Sequence, residues 1–315
     1  MVTGIDCSKD YFDIVVLKGD KTIFSSRFAN DGNGFGAMLP HILGSHVAME
    51  ATGPYYFQLA LFIHEQGIKV SVVNPLSVRR FAQMQMSRAK TDKKDAHLIA
   101  AFTRMTAPQA WTPPTKEVLM IRNLETYIEG IKKRRQLLGN QLHAFEASGT
   151  LDKALYRDIK SELESYDRQI GEKEKVIASL IAQHYRKLSD NLRSIPGIGP
   201  RSVSLLITLT DGLKMFDSHK QVISYFGLAP RVYESGSSVR GRGHICKMGM
   251  GHVRKVLYMA ATSAIRCNRA CKSLYERLRA KGKPYRVALI AAVNKLIKQV
   301  FAIAKSGEPY KVQLS

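Results

Sequence analysis

Four cysteines in 315 residues, Cys7, Cys246, Cys267 and Cys271, are too few and too unevenly spaced for a disulfide framework, and no paired C-x2-C set offers structural zinc. The chain reads as one kept reduced in the cytosol. It also lacks a long uninterrupted apolar run. The most apolar late segment, 287–303, is broken by Asn294, Lys295 and Lys298, which a bilayer core penalises, so no membrane span is expected. The opening MVTGIDCSKD carries an acid at position 6 and is not expected to be a secretory signal. There is no G-x4-G-K-[ST] phosphate loop, which weighs against an ATPase of actin-like type, and no repeat of 20 to 50 residues. Scarcest of all is negative charge: 26 acidic against 48 basic residues leave +22. A neutral-metabolite enzyme has no use for that excess, whereas a protein that binds a polyanion does.

The excess is concentrated. Residues 1–110 hold 12 basic and nine acidic side chains, 111–190 hold 14 and 12, and 191–315 hold 22 and five. Such a density repels itself without a counter-charge, and phosphate supplies one. Along the chain, β-branched and aromatic runs flank Gly19-Asp20 and predict a strand hairpin. A short helix over 35–43, a strand HVAMEA, a helix over 55–66, a strand KVSVVN and a helix from Lys93 to about Met105 follow. That alternation implies an α/β domain over 1–110. Trp111-Thr-Pro-Pro114 marks a boundary. In 111–190, Ile159, Leu163, Tyr166, Ile170, Lys173, Ile177 and Leu180 recur at heptad spacing, interrupted once by Lys173. With the break at Ser148-Gly149 this predicts a coiled-coil hairpin, folded on itself or paired with another subunit. Residues 191–315 read as mostly helical, with an amphipathic helix carrying Val253, Leu257, Ala261 and Ala264 on one face and a last helix over 287–304.

Several groups can carry chemistry. Asp6 in the first strand, Glu50 at the end of HVAME, and Asp92 and Asp95 at a helix start are the acids a two-metal site would want. Their oxygens suit magnesium or manganese. Singly, each has a plainer role: helix cap for Asp92, turn residue for Asp6, surface acid for Glu50. Lys90, Lys93 and Lys94 are interleaved with them and can hold phosphate oxygens, or simply solvate a helix start. The string 195–200, Ile-Pro-Gly-Ile-Gly-Pro, has the form of a helix-hairpin-helix turn, in which Gly197 and Gly199 allow close backbone approach and helix amides face a phosphate, with Arg201 next to them. The loop 227–238 holds Ser235, Ser237 and Ser238 among Arg231, Arg240, Arg242 and Lys247, followed by a basic helix start at Arg254 and Lys255. A serine is a weak nucleophile without a base or metal. The residues alone nominate none of the three.

Taken together, the four acids with AKTDKKDAHLIA, then RSIPGIGPRSVSLL, then YFGLAPRVYESGSSVRGRGHICKMGMGHVRKVLYMAA resemble the DEDD transposases of bacterial insertion sequences, family one-ten, over essentially the full chain. The resemblance implies a RuvC-like, RNase H-type domain over 1–110, a coiled coil over 111–190, and a transposase domain over 191–315. It implies magnesium, with manganese as substitute, held by Asp6, Glu50, Asp92 and Asp95. It also implies that the serine before glycine, Ser235, attacks DNA to give a phosphoserine. The expected partners are DNA, a structured bridge RNA that guides target choice, and further copies of the chain as dimers or tetramers, acting in the bacterial cytoplasm at the nucleoid. Cys246 and Met248 depart from the more polar residues expected there. Two readings compete: a structure-selective nuclease of Holliday-junction-resolvase type that uses water, and a non-catalytic nucleic-acid scaffold.

Overall fold

The alternation of apolar residues through the first thirty positions produces three antiparallel strands, β1 (Val2–Cys7), β2 (Tyr11–Lys18) and β3 (Lys21–Ala29). In the computed structural model, which describes residues 1–86, 92–231, 234–235, 239–240, 244–246 and 248–311 (backbone only at 92, 93, 234, 235, 239 and 240), the turn at Gly19 forms as expected, with φ +62°. The stretch ahead of it, read as one strand, is two. The Ser8 hydroxyl and amide both donate to the Tyr11 carbonyl, at 2.7 and 2.9 Å, and this reversal separates β1 from β2.

The chain divides into two compact units, Met1–Pro113 and Pro114–Ser315. In the first, α1 (Gly32–Ile42), β4 (His46–Glu50), α2 (Phe57–Glu65) and β5 (Val70–Val73) complete a five-stranded mixed sheet of order β3-β2-β1-β4-β5, with β1, β4 and β5 parallel. One face packs Ile5, Phe12, Ile14, Val47 and Met49 against Phe35, Met38 and Ile42 of α1 and Leu59 and Ile63 of α2. The other face receives α3 (Pro75–Met84) and α4 (Asp92–Thr106), with Val15 and Leu17 against Ala96 and Ala100, and Ala48 and Val73 against Val78 and Ile99. Helix α3 was not expected from the pattern, although Asn74 caps it by accepting from the Leu76 amide and Pro75 opens it. Trp111 closes the unit: its amide donates to Val70 O and its ring meets Phe57 edge-on.

In the second unit, α5 (Lys116–Ser148) and α6 (Lys153–His184) form the expected hairpin within one chain, turning at Gly149, whose φ is +67°. Ile121, Ile128 and Ile131 share a core with Ile170, Ile177 and Ile181, and Lys132–Glu174 and Arg135–Asp167 pair across in antiparallel register. That core continues into α7 (Arg186–Arg193), α8 (Pro200–Thr210), α9 (His219–Tyr225), α10 (Gly251–Cys267), α11 (Arg269–Ala280) and α12 (Tyr285–Ser306). Helix α11 escaped the sequence reading because it is strongly charged and buries only Cys271. Helix α12 is long and apolar enough by composition to cross a bilayer, at mean hydropathy 1.7, yet Leu289, Ala292, Val293, Leu296, Ile297 and Val300 lie in the core of the unit. Two minimal ribbons, β6 (Pro230–Arg231) with β9 (His244–Ile245) and β7 (Glu234–Ser235) with β8 (Val239–Arg240), lie between α9 and α10.

Candidate active site

Strand register brings distant acids together. In the parallel pair β1–β4, Ile5 stands opposite Met49, so Asp6 and Glu50 are neighbours at the carboxyl ends of adjacent strands. Their face is fixed by alternation: Ile5 and Met49 point into the core with α1 and α2, while Gly4 and Ala48 lie under α3 and α4. Gly4 is required there, because a methyl group would sit 2.1 Å from the Ala96 carbonyl oxygen and 2.3 Å from the Ala100 nitrogen. At the far end of α4, Arg104 pairs with Asp20 in the β2–β3 turn. The helix therefore runs antiparallel to β1, and its start, with Asp92 and Asp95, lies at the Asp6 end of the sheet. Asp92 is one turn before Ala96; its side chain lies outside the described residues, as do residues 87–91, including Lys90. Asp6, Glu50 and Asp95 are half-buried, and Thr52 donates to Glu50 Oε1 at 2.7 Å. Among the described residues no three His, Cys, Asp or Glu side chains are gathered closely enough to hold a metal ion. The fit rests on donor chemistry and placement: oxygen ligands only, from three separated stretches, at one sheet end. Cys7 faces the opposite core, and burial followed by the charge of Asp6 pushes its thiol up to about 12, which removes it as a nucleophile near neutrality.

The glycine turn between α7 and α8 has two different glycines. Gly197 has φ +99° and packs so tightly on α10 that a Cβ would lie 2.6 Å from that of Ala264, whereas nothing stands within 4 Å of the corresponding point at Gly199. Gly199 therefore leaves the start of α8 open, and beside it exposed Arg201 donates to Glu129 at 2.7 Å. Arg231 is exposed and paired in register with His244. Ser235 pairs with Val239 and Glu234 with Arg240 in the β7–β8 ribbon. Ser237, Ser238, Arg242 and Lys247 lie outside the described residues, and Lys93 is described in backbone only. Lys94 and Lys255 are exposed. Arg254 donates to the Gly249 and Phe226 carbonyls, at 3.0 and 3.3 Å, and braces the loop before α10.

Residues 3–145, which hold all four acids, match the DEDD transposase domain profile of IS110 elements, and residues 189–276, which hold the glycine turn and the serine ribbon, match a profile described as transposase IS116/IS110/IS902 family. A pilin gene-inverting protein of Moraxella lacunata is 30% identical over 98% of this chain and 96% of its own length. The chain belongs to the IS110 transposase family. A transposase for insertion sequence element IS1328 from Yersinia enterocolitica is 26% identical, covering 82% of each chain. An insertion element IS110 protein of Streptomyces coelicolor is 30% identical over 56% of this chain and 43% of its own. The resemblance carried by the motifs is thus borne out, and the protein is a DNA transposase/recombinase.

Two features of this transposase escaped the sequence reading. Asp13 stands directly opposite Asp6 across β1–β2, and Arg27 on β3 binds it with Nε and Nη2, the latter at 2.8 Å. A charged residue in an apolar strand was the available signal. In the second unit, Glu125 of α5 is half-buried beside a cleft of ≈ 1160 Å³ between α5, α6, α7 and α8 and accepts from Ser204 Oγ at 2.6 Å. Burial pushes its carboxyl above the ordinary 4.5, against the opposing hydrogen bond from Ser204 and the charge of His252.

Proposed function

We propose that Asp6, Glu50, Asp92 and Asp95 form the metal site of an RNA-guided recombinase that cleaves and rejoins insertion-sequence DNA through Ser235. The observation that carries this reading is the carboxyl end of the central strands, where acids from positions 6, 50 and 92–95 are brought to one end of β1, β4 and α4 in a chain of transposase family. The mixed sheet covered by helices on both faces supports an RNase H-like assignment for this unit. Two divalent ions, magnesium for preference, would supply charge stabilisation at the attacked phosphodiester when bound. The chain's own residues do the rest. Ser235 forms the P–Oγ bond as the P–O3′ bond breaks; its hydroxyl proton leaves and the 3′ oxygen takes one up, so the phosphoester is conserved for rejoining without ATP. Arg240, Arg242 and Lys247 neutralise the attacked phosphate, and Lys90, Lys93 and Lys94 do so beside the acids.

Division of labour follows the chain: residues 1–110 hold metal, 111–190 carry assembly into dimers and tetramers, and 191–315 hold the serine and the basic surface. Gly197, Gly199 and Arg201 contact backbone phosphate, and Arg231, Arg254 and Lys255 extend that surface. Target sequence is read by pairing with a bridge RNA rather than by side chains. The site of action is the cytoplasmic nucleoid. The deciding experiment is denaturing-gel capture of a protein–DNA adduct with element-end DNA, guide RNA and Mg2+. Wild type should form it, and Ser235→Ala and Asp6→Ala should not. Cleavage without any adduct would instead establish water attack by a structure-selective nuclease, and an adduct retained in Ser235→Ala but lost in Ser237→Ala would move the nucleophile two residues.

A further inference from the structure

The strand register continues the pair of acids on the central strands into a row that crosses four strands. Glu50 on β4 neighbours Asp6 on β1, Asp6 is opposite Asp13 on β2, and Asp13 is opposite Arg27 on β3. All four share the sheet face that receives α4: Val15 and Leu17, two and four residues along β2 from Asp13, pack on Ala96 and Ala100. Two carboxylates directly opposite each other are unfavourable unless something offsets them. Arg27 provides the offset. It grips both Asp13 oxygens through Nε and Nη2, and its guanidinium lies 3.9 Å from the centroid of the Tyr11 ring. The Asp13 side chain is 10% exposed and that of Arg27 50%. A buried acid opposite a proposed metal ligand, yet turned to an arginine, is an arrangement neither sheet stability nor solubility calls for, since an apolar residue at 13 would suit β2 better.

We propose that Asp13 is a positioning residue for the metal site: Arg27 holds its carboxylate out of the ligand set, and from there its charge, acting through Asp6, strengthens the hold on divalent cations. Arg27 in turn sets an upper limit on that hold, because releasing Asp13 frees a further oxygen donor and removes a positive charge. The inference rests on the metal-site reading above. It makes a prediction that a merely structural ion pair does not, namely that the two halves of the pair act in opposite directions.

The test is Mn2+ binding to the full-length chain, followed by electron paramagnetic resonance without DNA, in wild type, Asp6→Ala, Asp13→Asn and Arg27→Gln, with thermal melting to verify folding. Asp13→Asn should weaken Mn2+ binding about tenfold at unchanged stoichiometry, the order expected for removing one carboxylate charge close to a divalent ion. Arg27→Gln should tighten it severalfold. The inference is overturned if Asp13→Asn binds as wild type does, if both variants weaken binding alike, or if Asp13→Asn loses as many ions as Asp6→Ala and so removes a direct ligand. Should wild type show no Asp6-dependent Mn2+ at all, the metal-site reading fails and takes this inference with it. Asp6-dependent binding that ignores Asp13 overturns this inference alone.

Discussion

Met1–Pro113 and Pro114–Ser315 place their functional residues by opposite means. The first unit is nearly balanced, with 12 basic and nine acidic residues, and its proposed metal site depends on where the strands put a few of them. The second has 36 basic and 17 acidic residues on a helical frame, so that attraction for a polyanion is a property of its composition before any side chain is positioned. A catalytic edge fails when one register or one contact fails. A basic surface fails gradually.

The largest expected effect tests that asymmetry. In the adduct assay, Asp6→Ala and Ser235→Ala should each lower activity by about 10³-fold or more, and the double variant should be no worse than either, because the proposed mechanism needs both residues for the same step. Additive losses would show that the two units contribute separately. Next comes nucleic-acid binding by the isolated 114–315 unit, which should retain most of the affinity for duplex DNA with log K falling by about 0.9 per log unit of salt for each phosphate neutralised. A flat salt response, or equal binding by 1–113, would break the comparison. Third, Gly4→Ala and Gly197→Ala should each cost about 1–3 kcal/mol or more in urea unfolding, the first in unit one through the Ala96 carbonyl, the second in unit two through Ala264 and a φ of +99°. Only Gly4→Ala should also impair Mn2+ binding.

The smallest effect is one of pH. Because burial raises the Glu125 carboxyl above 4.5 in the folded unit, its ionisation costs stability as pH climbs past that value. Glu125→Gln should therefore melt higher than wild type at pH 7 and lose that advantage at pH 4, where both forms are uncharged at this position. A variant less stable at pH 7 would mean that the carboxylate is stabilised by Ser204 and His252 more than it is penalised by burial.

Much of this was legible in the sequence because it is local. The Gly19 turn, the heptad face of α6 and the apolar stripe of α10 are written in spacings of two, three and four residues, and the structure buries or half-buries every heptad position from Ile159 to Leu180, Lys173 included. The boundary at 111–114 was visible in its prolines, although Trp111 itself is tied to β5. The two-strand opening became three because a Ser-Lys-Asp reversal looks, in one dimension, like a polar interlude within a single strand. Helices α3 and α11 were missed because few of their residues are buried, Val78 and Phe81 in one and Cys271 in the other. Asp6, Glu50, Asp92 and Asp95 were legible as one candidate set; the place of Asp13 and Arg27 beside them was not, since nothing in the spacing of positions 6, 13, 27 and 50 encodes a row across four strands.

The distance between β1 and α4 is set by backbone against backbone, at a residue with no side chain. The spacing between strand-borne and helix-borne acids is therefore independent of which apolar residues fill the surrounding core. The proposed metal site can therefore drift in its packing and keep its geometry. In a library of active variants, positions 15 and 17 should accept many apolar residues, while position 4 should accept glycine alone, so the unit's room to evolve is wide everywhere except at one missing methyl group.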